Sequence, residues 1–144
     1  MGLFDFAYNM GKKLFGKDDD ASAEIKKHIE EDNPGVEDLQ VEVSDEGKVV
    51  MTGKASSADA VEKAVLMAGN AEGVTQVDTS GVEAPAQEKE VEFYEIQKGD
   101  TLWAISQKFL GNGARYNEIF EANKEVIKNP DLIYPGQTIR IPLD

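Results

Sequence analysis

Apolar positions along the chain follow two periods, and each change of period marks a change of element. From residue 2 to 15, Leu3, Ala7, Met10 and Leu14 recur at helical spacing with Phe4, Tyr8, Gly11 and Phe15 beside them. Asp5, Asn9, Lys12 and Lys13 take the other side, which predicts a short amphipathic helix. Lys17–Asp20 is a polar break, and Asp20 or Ser22 can cap a second helix that turns Ile25 and Ile29 inward and stops at Asn33-Pro34-Gly35. The period then drops to two. Leu39, Val41 and Val43 alternate with Gln40 and Glu42 as in a half-buried strand. Asp45-Glu46-Gly47 predicts a hairpin turn with Gly47 at positive φ, and Val49–Thr52 is the return strand, stopping at Gly53. Helical spacing resumes after the capping signal Ser56-Ser57-Ala58-Asp59, with Val61, Ala64, Val65 and Ala68 facing a core. That helix ends at Gly69-Asn70, and Gly73 leads into a last strand, Val74–Thr79. The order is αββαβ.

A second set of elements follows the apolar-poor stretch Ala84–Glu90, which reads as a linker. Tyr94 and Ile96 alternate with polar neighbours, Lys98-Gly99-Asp100 makes a turn, and Asp100 or Thr101 can cap a helix with Leu102, Ile105 and Phe109 on one stripe. After the loop Gly111-Asn112-Gly113, a helix over Arg115–Asn123 places Tyr116, Ile119 and Phe120 inward. Asn129-Pro130-Asp131 is a turn, and Gln137–Pro142 supplies the closing strand of a βααβ unit. The expected class is α+β with two small domains: an N-terminal amphipathic segment over 1–19, a first domain over 20–83, a linker over 84–91 and a second domain over 92–144.

Composition narrows the function. The 144 residues carry a formal net charge of −13, from 28 acidic and 15 basic side chains. Residues 1–83 hold 18 acids against 8 Lys or Arg, hence −10, and residues 84–144 hold 10 against 7, hence −3. Such a chain repels phosphate backbones, so nucleic acid is not an expected partner. There is no cysteine, which excludes disulfides and thiolate metal sites. With one histidine, His28, and no metalloprotease, P-loop or dinucleotide motif, no catalytic constellation is present, and no enzyme activity is expected. Lys17-Asp18-Asp19-Asp20 begins like a calcium loop but does not complete the pattern. Met1–Phe15 lacks a continuous apolar run for export, no stretch approaches the roughly 18 apolar residues of a membrane span, and Phe6 stands where a myristoylation motif needs Ser or Thr. The expectation is a cytoplasmic monomer without stable membrane insertion.

Two stretches resemble known families. The run V-x-V-S-D-E-G-K-V-V-M-T-G followed by a helix and G-N-A-E-G-V-T-Q-V resembles a BON domain, and "GDTLWAIS", "IFEAN" and "IYPGQTIRIP" resemble a LysM domain. LysM domains as a family bind N-acetylglucosamine polymers, and carried onto this sequence the groove would use Gly99, Asp100, Thr101, Leu102, Asp131, Leu132 and Ile133. That resemblance implies one function, a peptidoglycan-binding adaptor whose BON domain associates with envelope or phospholipid. The whole architecture, from a G-L-F-x-F start through BON and linker to LysM, resembles the small cytoplasmic BON–LysM potassium-binding proteins of bacteria. It implies selective K⁺ binding, a conformational change and an intramolecular contact between the two domains, as in a K⁺ sensor or buffer. Backbone carbonyls can replace the hydration shell of K⁺, whereas clustered carboxylates favour Ca²⁺ or Mg²⁺. The last carbonyls of a helix are free at the negative end of its dipole. This points to Ala7 and Met10, if the first helix ends at Gly11, and to Gly69, Ala71 and Val74 after the BON helix.

Overall fold

The computed structural model describes residues 3–5, 21–44, 47–71, 74–87, 90–127 and 133–143, with only the backbone of Leu3 and Asp5. Helix α1 (Ala21–Glu31) buries Ile25 and Ile29 one turn apart. Ser22 lies inside the helix rather than capping it, and its hydroxyl accepts the Val43 N–H at 3.0 Å, which fastens α1 to the next strand. Asn33 reverses the chain: its Oδ1 accepts the N–H groups of Gly35 and Val36, and its Nδ2 donates to the Val36 carbonyl.

Strand β2 (Val36–Val43) pairs antiparallel with β3 (Lys48–Ala55) across a turn in which Gly47 has φ 84°. The return strand does not stop at Gly53. It runs on to Ala55, and the register shifts between Glu37 and Gln40 opposite it. Gly53 has φ 148°, and a Cβ there would lie 2.7 Å from the Glu37 carbonyl oxygen. The glycine therefore accommodates a bulge and does not end a strand. Gly53→Ala combines a disfavoured φ with a clash against backbone that cannot swing away. It should cost about 2–4 kcal/mol, read as a lowered urea midpoint of the first domain; an unchanged midpoint would remove the bulge from this account.

Helix α2 (Ala58–Gly69) starts where Ser57 Oγ accepts the Ala60 N–H at 3.1 Å. Seven of its twelve residues are buried: Ala60, Ala64, Val65, Leu66, Met67, Ala68 and Gly69. One helix face against one sheet does not bury so continuous a run, so α2 is covered from two sides. Strand β4 (Gln76–Glu83) lies parallel to β3, with α2 as the crossover. Strand β1 (Leu3–Asp5) pairs antiparallel with β4, giving the order β1-β4-β3-β2.

That strand corrects the helix expected over residues 2–15. Phe4 lies opposite Val77, and the ladder with β4 satisfies backbone groups at an otherwise open sheet edge. An isolated short helix is marginal in water, so at Leu3–Asp5 pairing overrides the helical spacing. Residues 6–20, with the rest of that expectation, lie outside the described residues.

In the second domain β5 (Val91–Glu95) pairs antiparallel with β6 (Thr138–Pro142). Between them lie α3 (Leu102–Leu110), a 3-10 turn (Gly113–Arg115) and α4 (Tyr116–Ala122). Thr101 Oγ1 caps α3 by accepting the Ala104 N–H, and Gly111 closes it at φ 72°. The core is Ile96, Leu102, Ile105, Ile119, Ile127, Ile139 and Ile141. Trp103, 56% exposed, lies over Gly113. The first domain has a separate core between α1, α2 and one face of the sheet, and Val126 packs against both cores.

Candidate functional site

The last residue of α2, Gly69, and the loop that follows it carry three of the carbonyls singled out above. The Asn70 N–H closes the last helical turn on the Leu66 carbonyl at 3.0 Å, and the Ala71 N–H reaches the Ala68 carbonyl at 3.3 Å. Asn70 adopts φ −80°, ψ 1°, so the helix ends without a left-handed residue at its cap. The chain then turns back, with the Val74 N–H donating to the Ala71 carbonyl at 3.2 Å and the Thr75 N–H to the Gly47 carbonyl at 2.9 Å. Gly69, Ala71 and Val74 are all buried. The structure thus buries Gly69, Ala71 and Val74 at the negative end of a 12-residue helix. Ala7 and Met10 lie outside the described residues. Among the described residues no group of three acidic or histidine side chains is placed to hold a metal ion.

Sequence reasoning passed over the residue between these carbonyls. The Asn70 side chain is only 8% exposed because it reaches the second domain. Its Nδ2 donates to the Thr138 carbonyl at 2.8 Å and its Oδ1 accepts the Thr138 N–H at 2.7 Å, while the Tyr134 hydroxyl lies 3.4 Å from the Asn70 carbonyl. Two positions along β6, Asn123 repeats the arrangement from within the second domain, bonding the Arg140 carbonyl at 2.7 Å and the Arg140 N–H at 2.8 Å. Two asparagine amides therefore seal the β6 edge that β5 does not pair. An asparagine at a helix end reads locally as a turn residue, so nothing near it in sequence announces this partner.

Arg140 is the other residue that was missed. Its guanidinium, 2% exposed, donates to Asp59 Oδ1 at 2.5 Å, Glu62 Oε1 at 2.9 Å and the Ala122 carbonyl at 2.8 Å. Gln87 Nε2 donates to the same two carboxyl groups, each at 3.0 Å, which ties the linker to α2. Lys63 and Glu125 meet across the junction at 2.7 Å, and Phe4 of β1 stacks on Phe93 of β5 with centroids 5.4 Å apart. The second cover of α2 is thus the second domain, held by charges and paired amides as well as by apolar contact.

The comparisons follow this two-part layout. Residues 17–84 match the BON domain family and residues 94–142 the LysM domain family. The potassium binding protein Kbp of Escherichia coli O6:H1 (strain CFT073) is 38% identical, over 99% of this chain and 99% of its own length. This chain belongs to the Kbp family. Other relatives share parts of it. An uncharacterized protein of Deinococcus radiodurans is 33% identical over 65% of this chain and 40% of its own length, and the uncharacterized protein YqbP of Bacillus subtilis is 36% identical over 34% and 26%.

Within this Kbp-family chain the residues expected to line a carbohydrate groove have structural duties. Gly99 takes φ 89° in the turn before α3. Asp100 Oδ2 accepts the Tyr94 hydroxyl at 2.6 Å and the Gln97 N–H at 2.8 Å. That bond to a carboxylate pushes the Tyr94 phenol up to about 12. The stability it adds is complete below the ordinary tyrosine value near 10 and is lost as pH rises through about 12. Thr101 caps α3, Leu102 is buried, and Ile133 packs against the LysM core. Asp131 and Leu132 lie outside the described residues. No helix among the described residues is long and apolar enough to cross a membrane.

Proposed function

We propose that this chain is a cytoplasmic potassium-ion-binding protein, a K⁺ sensor or buffer rather than an enzyme. In this reading backbone carbonyls of Gly69, Ala71 and Val74, with Ala7 and Met10 from the N-terminal segment, hold the ion. The observation that carries it is the buried C-terminal end of α2, where Gly69, Ala71 and Val74 put backbone carbonyls at the negative end of the helix dipole. Neutral oxygens at a helix's negative end suit a large, weakly hydrated monovalent cation. A carboxylate cage would instead favour a divalent one. Full-length similarity to a protein named for potassium binding supports the same conclusion.

The conformational change follows from where the ligands come from. The N-terminal segment and the α2 loop are far apart in sequence, so an ion shared between them favours the conformers in which they meet. The alternative, a peptidoglycan-binding LysM adaptor with an envelope-associated BON domain, needs free polar groups at residues 99–102 and 131–133. Asp100 and Thr101 are already committed to the fold.

Calorimetry with KCl and with NaCl at matched ionic strength tests the function. Saturable heat with K⁺ and little with Na⁺ is expected, and equal responses would overturn the sensor reading. Because Leu3–Asp5 form a strand, the deletion that tests the terminal ligands should leave them in place. Removing residues 6–11 should weaken K⁺ binding at least 100-fold, whereas unchanged affinity would take Ala7 and Met10 out of the site.

A further inference from the structure

We infer that Asn70 is a positioning residue for the ion loop, through which contact with the LysM domain sets how well that loop holds its ion. The inference rests on the potassium-binding reading above and deepens it. Asn70 lies between Gly69 and Ala71, two of the proposed carbonyl ligands, and every polar group of its residue is engaged. Its N–H bonds Leu66, its side-chain amide bonds both backbone groups of Thr138, and its carbonyl faces the Tyr134 hydroxyl.

The geometry links these bonds to the ion. The peptide plane that carries the Gly69 carbonyl also carries the Asn70 N–H, and in a trans peptide the two point in opposite directions. Holding that N–H on Leu66 aims the Gly69 carbonyl past the end of α2. The following plane joins the Asn70 carbonyl to the Ala71 N–H, and Tyr134 and Ala68 hold it at those two atoms. With the planes on both sides fixed and the side chain clamped to β6, Asn70 has little freedom at φ and ψ. The loop therefore enters the ion-bound state already arranged, and loses less conformational freedom on binding. The clamp comes from the other domain, so the coupling is reciprocal: an ion that favours this loop conformation also favours LysM docking.

A plain domain clip and a positioning residue differ in what they do to ion selectivity. Asn70→Ala in the full chain should raise the Kd for K⁺ about tenfold and lower the K⁺ to Na⁺ affinity ratio, because loosened carbonyls adapt to the smaller ion. Arg140→Met relaxes the same interface without touching the loop and should change K⁺ affinity less than threefold. If Asn70→Ala does not fold, Tyr134→Phe removes one holding group from the Asn70 carbonyl and should raise the Kd two- to threefold. Wild-type affinity and selectivity in Asn70→Ala, or in Tyr134→Phe where it stands in, would overturn the positioning role. So would an Arg140→Met protein as impaired as Asn70→Ala. A wild-type chain that does not prefer K⁺ overturns the potassium reading itself and the inference with it, a result distinct from a selective wild type with an unaffected Asn70→Ala.

Discussion

Asn123→Leu should leave the LysM domain unfolded or close to it. Asn123 is fully buried, and its amide donates to the Ile119 and Arg140 carbonyls and accepts the Arg140 N–H. Leucine fills a similar volume, so little cavity forms. The cost comes from the partners: the Arg140 N–H and carbonyl lie on the β6 edge away from β5, where leucine offers them nothing. Each stranded buried group costs on the order of 1–3 kcal/mol. Two or three of them approach the 5–15 kcal/mol that stabilises a typical domain. Urea unfolding followed by Trp103 fluorescence reads this domain, because the chain has one tryptophan and it lies on α3. The midpoint should fall steeply or the transition disappear. A midpoint within experimental error of wild type would show that β6 does not depend on the asparagine seal.

The second large effect separates two ways of dismantling one ion cluster. Asp59→Asn with Glu62→Gln keeps the shape of the junction and leaves the Arg140 guanidinium buried without a counter-charge. Removing the partners of a buried charge costs about 3 kcal/mol or more. Arg140→Met removes the buried charge itself and replaces its stem with apolar volume. The carboxylates left behind have side chains 32% and 15% exposed, so water reaches them, and Gln87 still donates to both. The expected cost is about 1 kcal/mol, at the scale of partly exposed pairs. The double amide variant should therefore be the less stable of the two in urea, although it changes fewer atoms. The reverse order would mean that Arg140 is not effectively desolvated.

Much of the architecture was legible because each element carries a local signal. The period of two over Leu39–Val43, the cap at Ser57 and the stripe Leu102, Ile105 and Phe109 need no distant partner to be read. Misreadings came where a distant partner decides. Leu3–Asp5 belongs to a stretch with helical apolar spacing but has a strand edge beside it in space. Gly53 looks like a stop until the bulge opposite Glu37 is seen. In the candidate site, the turn around Gly69 and Ala71 followed from the general property that helix ends leave carbonyls free. The role of Asn70 did not, because its partner Thr138 is 68 residues away. Arg140 was opaque for a similar reason. An arginine between two isoleucines reads as the outward residue of a half-buried strand, and only α2, carrying Asp59 and Glu62, turns that face inward.

A potassium site at the end of α2 is built from specific oxygens, and carbonyl chemical shifts report them directly. With ¹³C-labelled protein at constant ionic strength, KCl should move the carbonyl resonances of Gly69, Ala71 and Val74 to saturation, together with those of Ala7 and Met10. An equal concentration of NaCl should leave them nearly in place. Shifts that are the same in the two salts, or K⁺-dependent shifts confined to residues 99–102 of the LysM domain, would contradict a potassium site at the end of α2.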